Sequence, residues 1–342
     1  MGFNNSNLKN VLQSITINSK CLVIGDGTIG MQNQSMALAI AIGLKPQLVE
    51  IKPKWFPRIF PVLFAGRFGI LLSDKDNFLL SSDNQIVITC GRRMIGINIG
   101  IKRLAKKKSI NSLNIQIQSP KKFVPYFDIL ISPEHDKLIG PNVISTFGSL
   151  NQVTKQNIYR AFQKLDPSFS KKCVNHISIM IGGNSKNQRV RKIALKELIA
   201  EILRIKIVLG CNIVISTSRR TPNYFKTMLQ KFSNENNFLF CNSGSDTTNP
   251  YPGILHNAKA IIVTTDSVNM ISEAISSGLP VFGFNLYKPR SRKALFIKQL
   301  IQKNYLKMSF DLISLEDLNK TEDFIENETN RIGRKIKNLL VN

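Results

Sequence analysis

The sequence predicts an α/β protein made of two Rossmann-like domains, each a doubly wound parallel sheet. Three observations carry this. Short apolar runs alternate with amphipathic segments of helix length along the chain, the pattern of repeated βαβ units. A polar stretch, "DPSFSKK" (166–172), interrupts the alternation once and reads as a linker. The 342 residues are also too many for one small core and suit two. The expected division is a first domain over 1–165, a second over 173–310, and terminal helices over 311–342 that lie back on the first.

In the first half, "CLVIG" (21–25) is a strand and "MQNQSMALAIAIG" (31–43) the helix after it, ended by Gly43. Strands follow at "PQLVEI" (46–51), "QIVITC" (85–90), "LNIQIQ" (113–118) and "FDILIS" (127–132). The helix "MIGINIGIKRLAKKK" (94–108) gathers its lysines at the C-terminal end, where the macrodipole favours cations. In the second half, "HISIMIG" (176–182) is a strand and 188–203 a helix. The strand "NIVIST" (212–217) leads to a helix expected to begin with Thr221 as N-cap and Pro222 in its first turn. "FLFC" (238–241), "AIIVTT" (260–265) and "VFGF" (281–284) complete that sheet, and "LEDLNKTEDFIENETNRIGRKIKNLL" (315–340) reads as acidic and then basic helix.

An apolar fraction of 43% excludes a disordered chain. The net charge is +25, and residues 151–310 hold most of it, with 24 Lys+Arg against 7 Asp+Glu. Such a balance points to an anionic partner: nucleic acid, anionic lipid or a phosphorylated substrate. Abundant Asn, Lys and Ile also fit an AT-rich genome, which by itself raises lysine content. No nucleic-acid-binding module or aromatic–basic motif is present, which argues against nucleic acid. Five scattered cysteines without metal-ligand spacing read as reduced thiols in a cytoplasmic protein, and no metal or other cofactor is expected. Residues 1–18 lack the apolar core of a secretory leader. "WFPRIFPVLFAGRFGILL" (55–72) is broken by two prolines and two arginines, too much for a membrane span. It suits a buried wall or an interfacial patch at an anionic membrane face, where a lipid acceptor would lie.

The strand–helix–strand unit "TTDSVNMISEAISSGLPVFGF" (264–284) carries two acids. Asp266 or Ser267 stands at the N-cap, Val268, Ile271, Ala274 and Ile275 form the inward stripe, and Gly278 with Pro280 end the helix. Glu273 follows Asp266 by two turns, so both acids can flank one groove. There a carboxylate can accept bonds from vicinal ribose hydroxyls while the helix N-terminus receives phosphate; the alternative is a solvated surface glutamate. "IGGNSK" (181–186) follows a strand, and its Gly182 and Gly183 permit a tight turn whose amides, with Asn184, Ser185 and Lys186, suit phosphate. Two arginine pairs, Arg92–Arg93 in "VITCGRR" and Arg219–Arg220 in "VISTSRR", stand just past strand ends, where doubly wound sheets bind ligands. "SPEHD" (132–136) holds His135 between two acids, which makes His135 or Asp136 the candidate general base, with a turn histidine as the alternative. "GDGTIG" (25–30), with Glu50 twenty residues past Gly30, also satisfies a dinucleotide-binding fingerprint. Against that stand the polar opening of its helix and the fuller site of the second half. Gly27, Gly30 and Gln34, with Arg92 and Arg93, are assigned instead to an acceptor or to the donor diphosphate. "SDKDN" (73–77) contains D-x-D but reads as a solvated turn.

Taken together, "GDGTIGMQNQ", "GRR", "PEHDKLIGPNV", "IGGNSKNQR", "TSRRTPN", "NPYPGILHNA" and "TTDSVNMISEA" resemble the mitochondrial-fission "elongated mitochondria" family of plants and bacteria. "DSVNMISEAISSGLPV" is also similar to the segment of GT-B glycosyltransferases whose glutamate holds the ribose of a nucleotide-sugar donor. The resemblance implies a GT-B-like fold with a cleft between the domains and a nucleotide sugar bound there through Gly182, Gly183, Asn184, Ser185, Arg219, Arg220, Asp266, Ser267 and Glu273. The implied activity is glycosyl transfer. A non-catalytic membrane adaptor on the same frame and a nucleotide-sugar epimerase are the alternatives. The expected location is cytoplasmic, with a peripheral position on the inner face of a membrane if the acceptor is a lipid.

Overall fold

A computed structural model describes residues 12, 14–51, 84–185, 188–242, 251–308 and 327–341. The apolar stretch 55–72, "SDKDN", Lys186 and the acidic part of 315–326 lie outside the described residues. The elements in order are β1 (Lys20–Gly25), α1 (Ile29–Ile42), β2 (Pro46–Glu50), β3 (Asn84–Cys90), α2 (Ile95–Lys107), β4 (Asn111–Ile117), β5 (Ile129–Pro133) and β6 (Val143–Thr146). Then come α3 (Lys155–Phe162), α4 (Pro167–Ser170), β7 (His176–Ile181), α5 (Lys192–Leu209), β8 (Asn212–Thr217), α6 (Asn223–Glu235) and β9 (Leu239–Asn242). The chain ends with β10 (Ala258–Thr264), α7 (Val268–Ser276), β11 (Val281–Phe284), α8 (Ser291–Gln302) and α9 (Glu328–Val341).

Two compact units result. The first holds 1–152 and 328–342, the second 153–327. The chain therefore divides at 152/153, and the expected linker at 166–172 lies inside the second unit, where Asp166 caps the short α4 by accepting from Ser168 N at 2.8 Å.

The first unit has one six-stranded sheet ordered β2-β1-β3-β4-β5-β6, and every pair in it is parallel. Central strands β3 and β4 are buried almost throughout, as parallel strands covered on both faces must be, whereas edge strand β2 is largely exposed. Alternation along β1 sorts the two faces. Cys21 and Val23 pack with α1 and α9, while Leu22 and Ile24 pack with Ile97 and Ile101 of α2. α9 seats closely on α1, with Gly333 against Ala41.

The second unit has a five-stranded parallel sheet ordered β11-β10-β7-β8-β9. Ile177, Ile179 and Ile181 of β7 join α5 and α6 in its main core. α5 starts at Lys192, later than the expected 188, and ahead of it Asn184 Oδ1 accepts from Val190 N at 3.0 Å. Pro222, and not Thr221, is the N-cap residue of α6; the Thr221 hydroxyl turns back to the carbonyls of Ile181 and Gly182. Among the described residues no helix is long and apolar enough to cross a membrane.

Candidate functional site

Chain order reverses around β1 in the first sheet and around β7 in the second, so each unit has a topological switch point at the carboxyl ends of its strands. Open α/β sheets bind ligands at such points. In the second unit the switch lies between β7 and β10, and there the loop after β7 meets the residues after β8 and β10. Gly182 N donates to Thr264 Oγ1 at 2.7 Å, and Thr264 Oγ1 in turn donates to Asp266 Oδ1 at 2.7 Å. Gly183 N donates to Asp266 Oδ2 at 3.0 Å, and Arg220 Nη2 reaches the same oxygen at 2.9 Å. The Asp266 side chain is fully buried, whereas that of Arg220 is 41% exposed.

The glycines are required by this packing. A Cβ on Gly182 would lie 2.1 Å from Asp266 Oδ1, and one on Gly183 would lie 2.1 Å from the Arg220 carbonyl oxygen. The loop amides expected to meet phosphate have partners within the protein. The amides of Gly182 and Gly183 are used as above, that of Asn184 donates to Arg220 O at 3.0 Å and that of Ser185 to Gln188 O at 2.9 Å. Asn184 and Ser185 brace the loop with their side chains through Val190 N and Gln188 N. Asp266 likewise is an internal organiser and presents no free oxygen to a groove, because both its oxygens are engaged by the protein. A loop sequence cannot show this, since most of the acceptors come from two other segments, after β8 and at the end of β10.

What the locked loop presents is positive. Lys293, from the first turn of α8, donates Nζ to Asp266 O at 2.7 Å and lies 5.3 Å from the centre of the Tyr287 ring. Burial lowers its pKa, with Asp266 opposing that shift and Arg220 adding to it. Two cations thus converge on one residue beside the start of α7, Arg220 on the Asp266 carboxylate and Lys293 on its backbone carbonyl, and the N-terminal amides of α7 add further positive potential. Ser267 caps that helix by accepting from Met270 N at 3.5 Å. Arg219 is exposed beside Arg220. Glu273 stands further along α7, half-buried, and desolvation pushes its pKa up to about 7 against the opposing hydrogen bond from Tyr251.

The first unit repeats the theme at its own switch point. Arg93 Nη1 bonds Asp26 Oδ2 at 3.0 Å between the loops after β3 and β1. Burial alone would raise the Asp26 carboxyl, but bonds from Thr28 and Arg93 outweigh it and hold the pKa below its ordinary value. Gly27 takes a left-handed φ of 81°, Gly30 lies in α1, and Gln34 is buried with its amide donating to Gly30 O at 3.2 Å. Arg92 is exposed. Glu50, the would-be ribose acid of a dinucleotide site, accepts from Gln32 Nε2 at 2.9 Å. His135 and Asp136 share one short 3-10 turn after β5, both half-buried, in the first unit.

Sequence reasoning missed Lys293, Tyr287, Thr264 and Tyr251. Lys293 is one lysine in a basic segment, and nothing in its neighbours marks it. Tyr251 had a signal: it sits in "NPYPGILHNA", a motif quoted for resemblance without a role.

A family model described as mitochondrial fission ELM1 matches residues 29–340. The chain is 27% identical over 339 residues to an uncharacterized protein of Rickettsia prowazekii (strain Madrid E), covering 86% of this chain and 91% of that one. It is 30% identical over 220 residues to the mitochondrial fission protein ELM1 of Arabidopsis thaliana, covering 58% of this chain and half of the plant protein's length. Among solved structures, the UDP-GlcNAc 2-epimerase of Methanocaldococcus jannaschii matches with a TM-score of 0.54 at 14% identity, covering 94% of this chain and 99% of the other. S. aureus MnaA, solved with UDP, matches with a TM-score of 0.52 at 14% identity, covering 95% and 98%. These likenesses show a shared GT-B-like fold.

Proposed function

The chain belongs to the mitochondrial fission ELM1 family, and from that premise we propose that its second unit binds the nucleoside diphosphate part of a nucleotide sugar as a glycosyltransferase does. The observation that carries the reading is the positive charge gathered at the start of α7, where Arg220 pairs with the Asp266 carboxylate and Lys293 donates to the Asp266 backbone carbonyl, with Glu273 further along the same helix. The diphosphate lies against Arg220, Lys293 and the first turn of α7, and Glu273 accepts hydrogen bonds from the ribose hydroxyls. When the bond from sugar to diphosphate breaks, negative charge grows on the departing phosphate oxygen, and cations already fixed in place stabilise it without reorganising. Asp266 and Thr264 hold Arg220 and the glycine loop in register for this.

Thermal-shift measurements with UDP, GDP, ADP and CDP test the reading, because a ligand that prefers the folded state raises its melting temperature. One diphosphate is expected to raise the melting temperature in the wild type and to leave Glu273→Ala unmoved. An equal rise in both proteins would overturn the assignment.

A further inference from the structure

Strands β7, β8 and β11 lie in one parallel sheet, so the loops that follow them leave by a single edge. The stretches 184–196, 218–228 and 285–298 hold these loops and the helix starts after them. Together they carry thirteen Lys and Arg and no Asp or Glu, with six of the chain's fifteen arginines. A codon bias toward lysine acts on the whole chain and does not clear three loops of acids. The loops are joined to one another. Gln188 Nε2 donates to Lys288 O at 3.1 Å, Asn184 N to Arg220 O at 3.0 Å, and the Tyr224 hydroxyl to Val190 O at 3.3 Å. Arg189, Arg191, Lys192, Lys288, Arg290 and Arg292 are exposed on this edge.

The folded chain gains nothing from cations at these places. Arg191 and Arg290 are the N-cap residues of α5 and α8, neither makes a side-chain capping bond, and no acid stands in either first turn. A cation at the positive end of a helix dipole is repelled. Beside these charges Ile193, Tyr224 and Leu295, near the starts of α5, α6 and α8, are 51%, 42% and 37% exposed. We propose that this edge of the second unit docks on an anionic phospholipid bilayer, its cations against headgroup phosphates and these three large side chains entering between them. Exposed cations on separate loops do not converge on one bound anion. A bilayer presents its phosphates side by side and offers apolar depth behind them. Nucleic acid also presents phosphates, but it gives Ile193 and Leu295 nothing to enter, and a single tyrosine is no stacking platform. The proposal does not rest on the nucleotide reading, because Arg220 and Lys293 are left to that site.

Sedimentation of the full chain with vesicles tests this, using phosphatidylcholine alone and phosphatidylcholine with about one-third phosphatidylglycerol. Binding is expected only to the anionic vesicles, and it should weaken about ten-fold or more between low and physiological salt. Arg191→Glu, Lys192→Glu, Arg290→Glu and Arg292→Glu together should cut it about a hundred-fold or more. These substitutions put acids where helix starts favour them, so an unlowered melting temperature checks the fold. The matched reversal of Arg160, Lys164, Lys171 and Lys172 to Glu, exposed elsewhere in the same unit, should lose only about three-fold. Equal losses in the two quadruple variants would show attraction to net charge alone and overturn the proposal, as would failure to sediment with anionic vesicles. Ile193→Ser with Leu295→Ser should weaken vesicle binding about five-fold at unchanged salt dependence. An unmoved affinity there overturns the bilayer assignment. RNA binding that the first quadruple variant abolishes, without any vesicle binding, would make the edge a nucleic-acid surface instead.

Discussion

Gly182 faces Asp266 so closely that a methyl group on its α-carbon would lie 2.1 Å from the carboxylate Oδ1. The absence of a side chain on one residue thus fixes the carboxylate of another, and through it the Gly183 amide and the Arg220 guanidinium.

Gly182→Ala is therefore expected to push Asp266 out of place and break its bonds to Gly183 and Thr264. The loss is on the order of 2–4 kcal/mol, read as a lower urea midpoint for the second unit. Ser267→Ala removes only a weak cap and should cost about 1 kcal/mol or less. If the two variants are equally stable, the carboxylate does not organise the loop.

Lys293→Ala tests the cation that sequence reasoning did not find. Removing one charge-assisted contact to a diphosphate should weaken binding about ten- to a hundred-fold by calorimetry. The remaining binding should also depend less on salt, because fewer ionic contacts are left to screen. Unchanged affinity with an unchanged salt slope would take Lys293 out of the site.

Glu273 makes ligand-free stability depend on pH. Its pKa rises from 4.5 to about 7 on folding, so between those values the folded chain keeps a proton that the unfolded chain releases. The contribution of this group is then greatest below pH 4.5 and is lost as pH rises through 7, by on the order of 3 kcal/mol. Glu273→Gln has no such proton to lose. Relative to wild type it should gain stability at pH 8 and show little gain at pH 5, measured by chemical denaturation at both. Equal differences at the two pH values would show that Glu273 is not desolvated.

Gly333→Leu addresses the return of the chain to the first unit. A Cβ at Gly333 would lie 2.6 Å from the Ala41 Cβ and 2.7 Å from that residue's backbone, so α9 cannot keep its seat on α1. The expected cost is about 3 kcal/mol or more, seen as a lowered melting temperature of the first unit. A substitution at Lys335, exposed on the same helix, should stay within about 0.5 kcal/mol.

The strands were legible because parallel strands buried on both faces must be written as unbroken apolar runs, as "HISIMI" and "AIIVT" are. The short β6 carries Ser145 and Thr146 at a sheet edge and gave no such run. α3 was missed because only Ile158 is buried on it, so its apolar stripe is one residue wide. In the site, Arg220, Asp266 and Glu273 were legible as chemistry, since charged groups past strand ends attract notice. Their division of labour was not. Whether an amide is free or an oxygen already bonded depends on partners far along the chain, as with Gly183 and Asp266 or Tyr251 and Glu273.

The seat of α9 on α1 also sets an order of events at the ribosome. Residues 153–327 are contiguous and emerge entire, while the earlier-made part of the first unit still waits for the helix that covers one face of its sheet. The half translated first is thus the half completed last, and until Ile332, Ile336 and Leu340 arrive, the nascent polypeptide displays an uncovered apolar surface that a chaperone could hold.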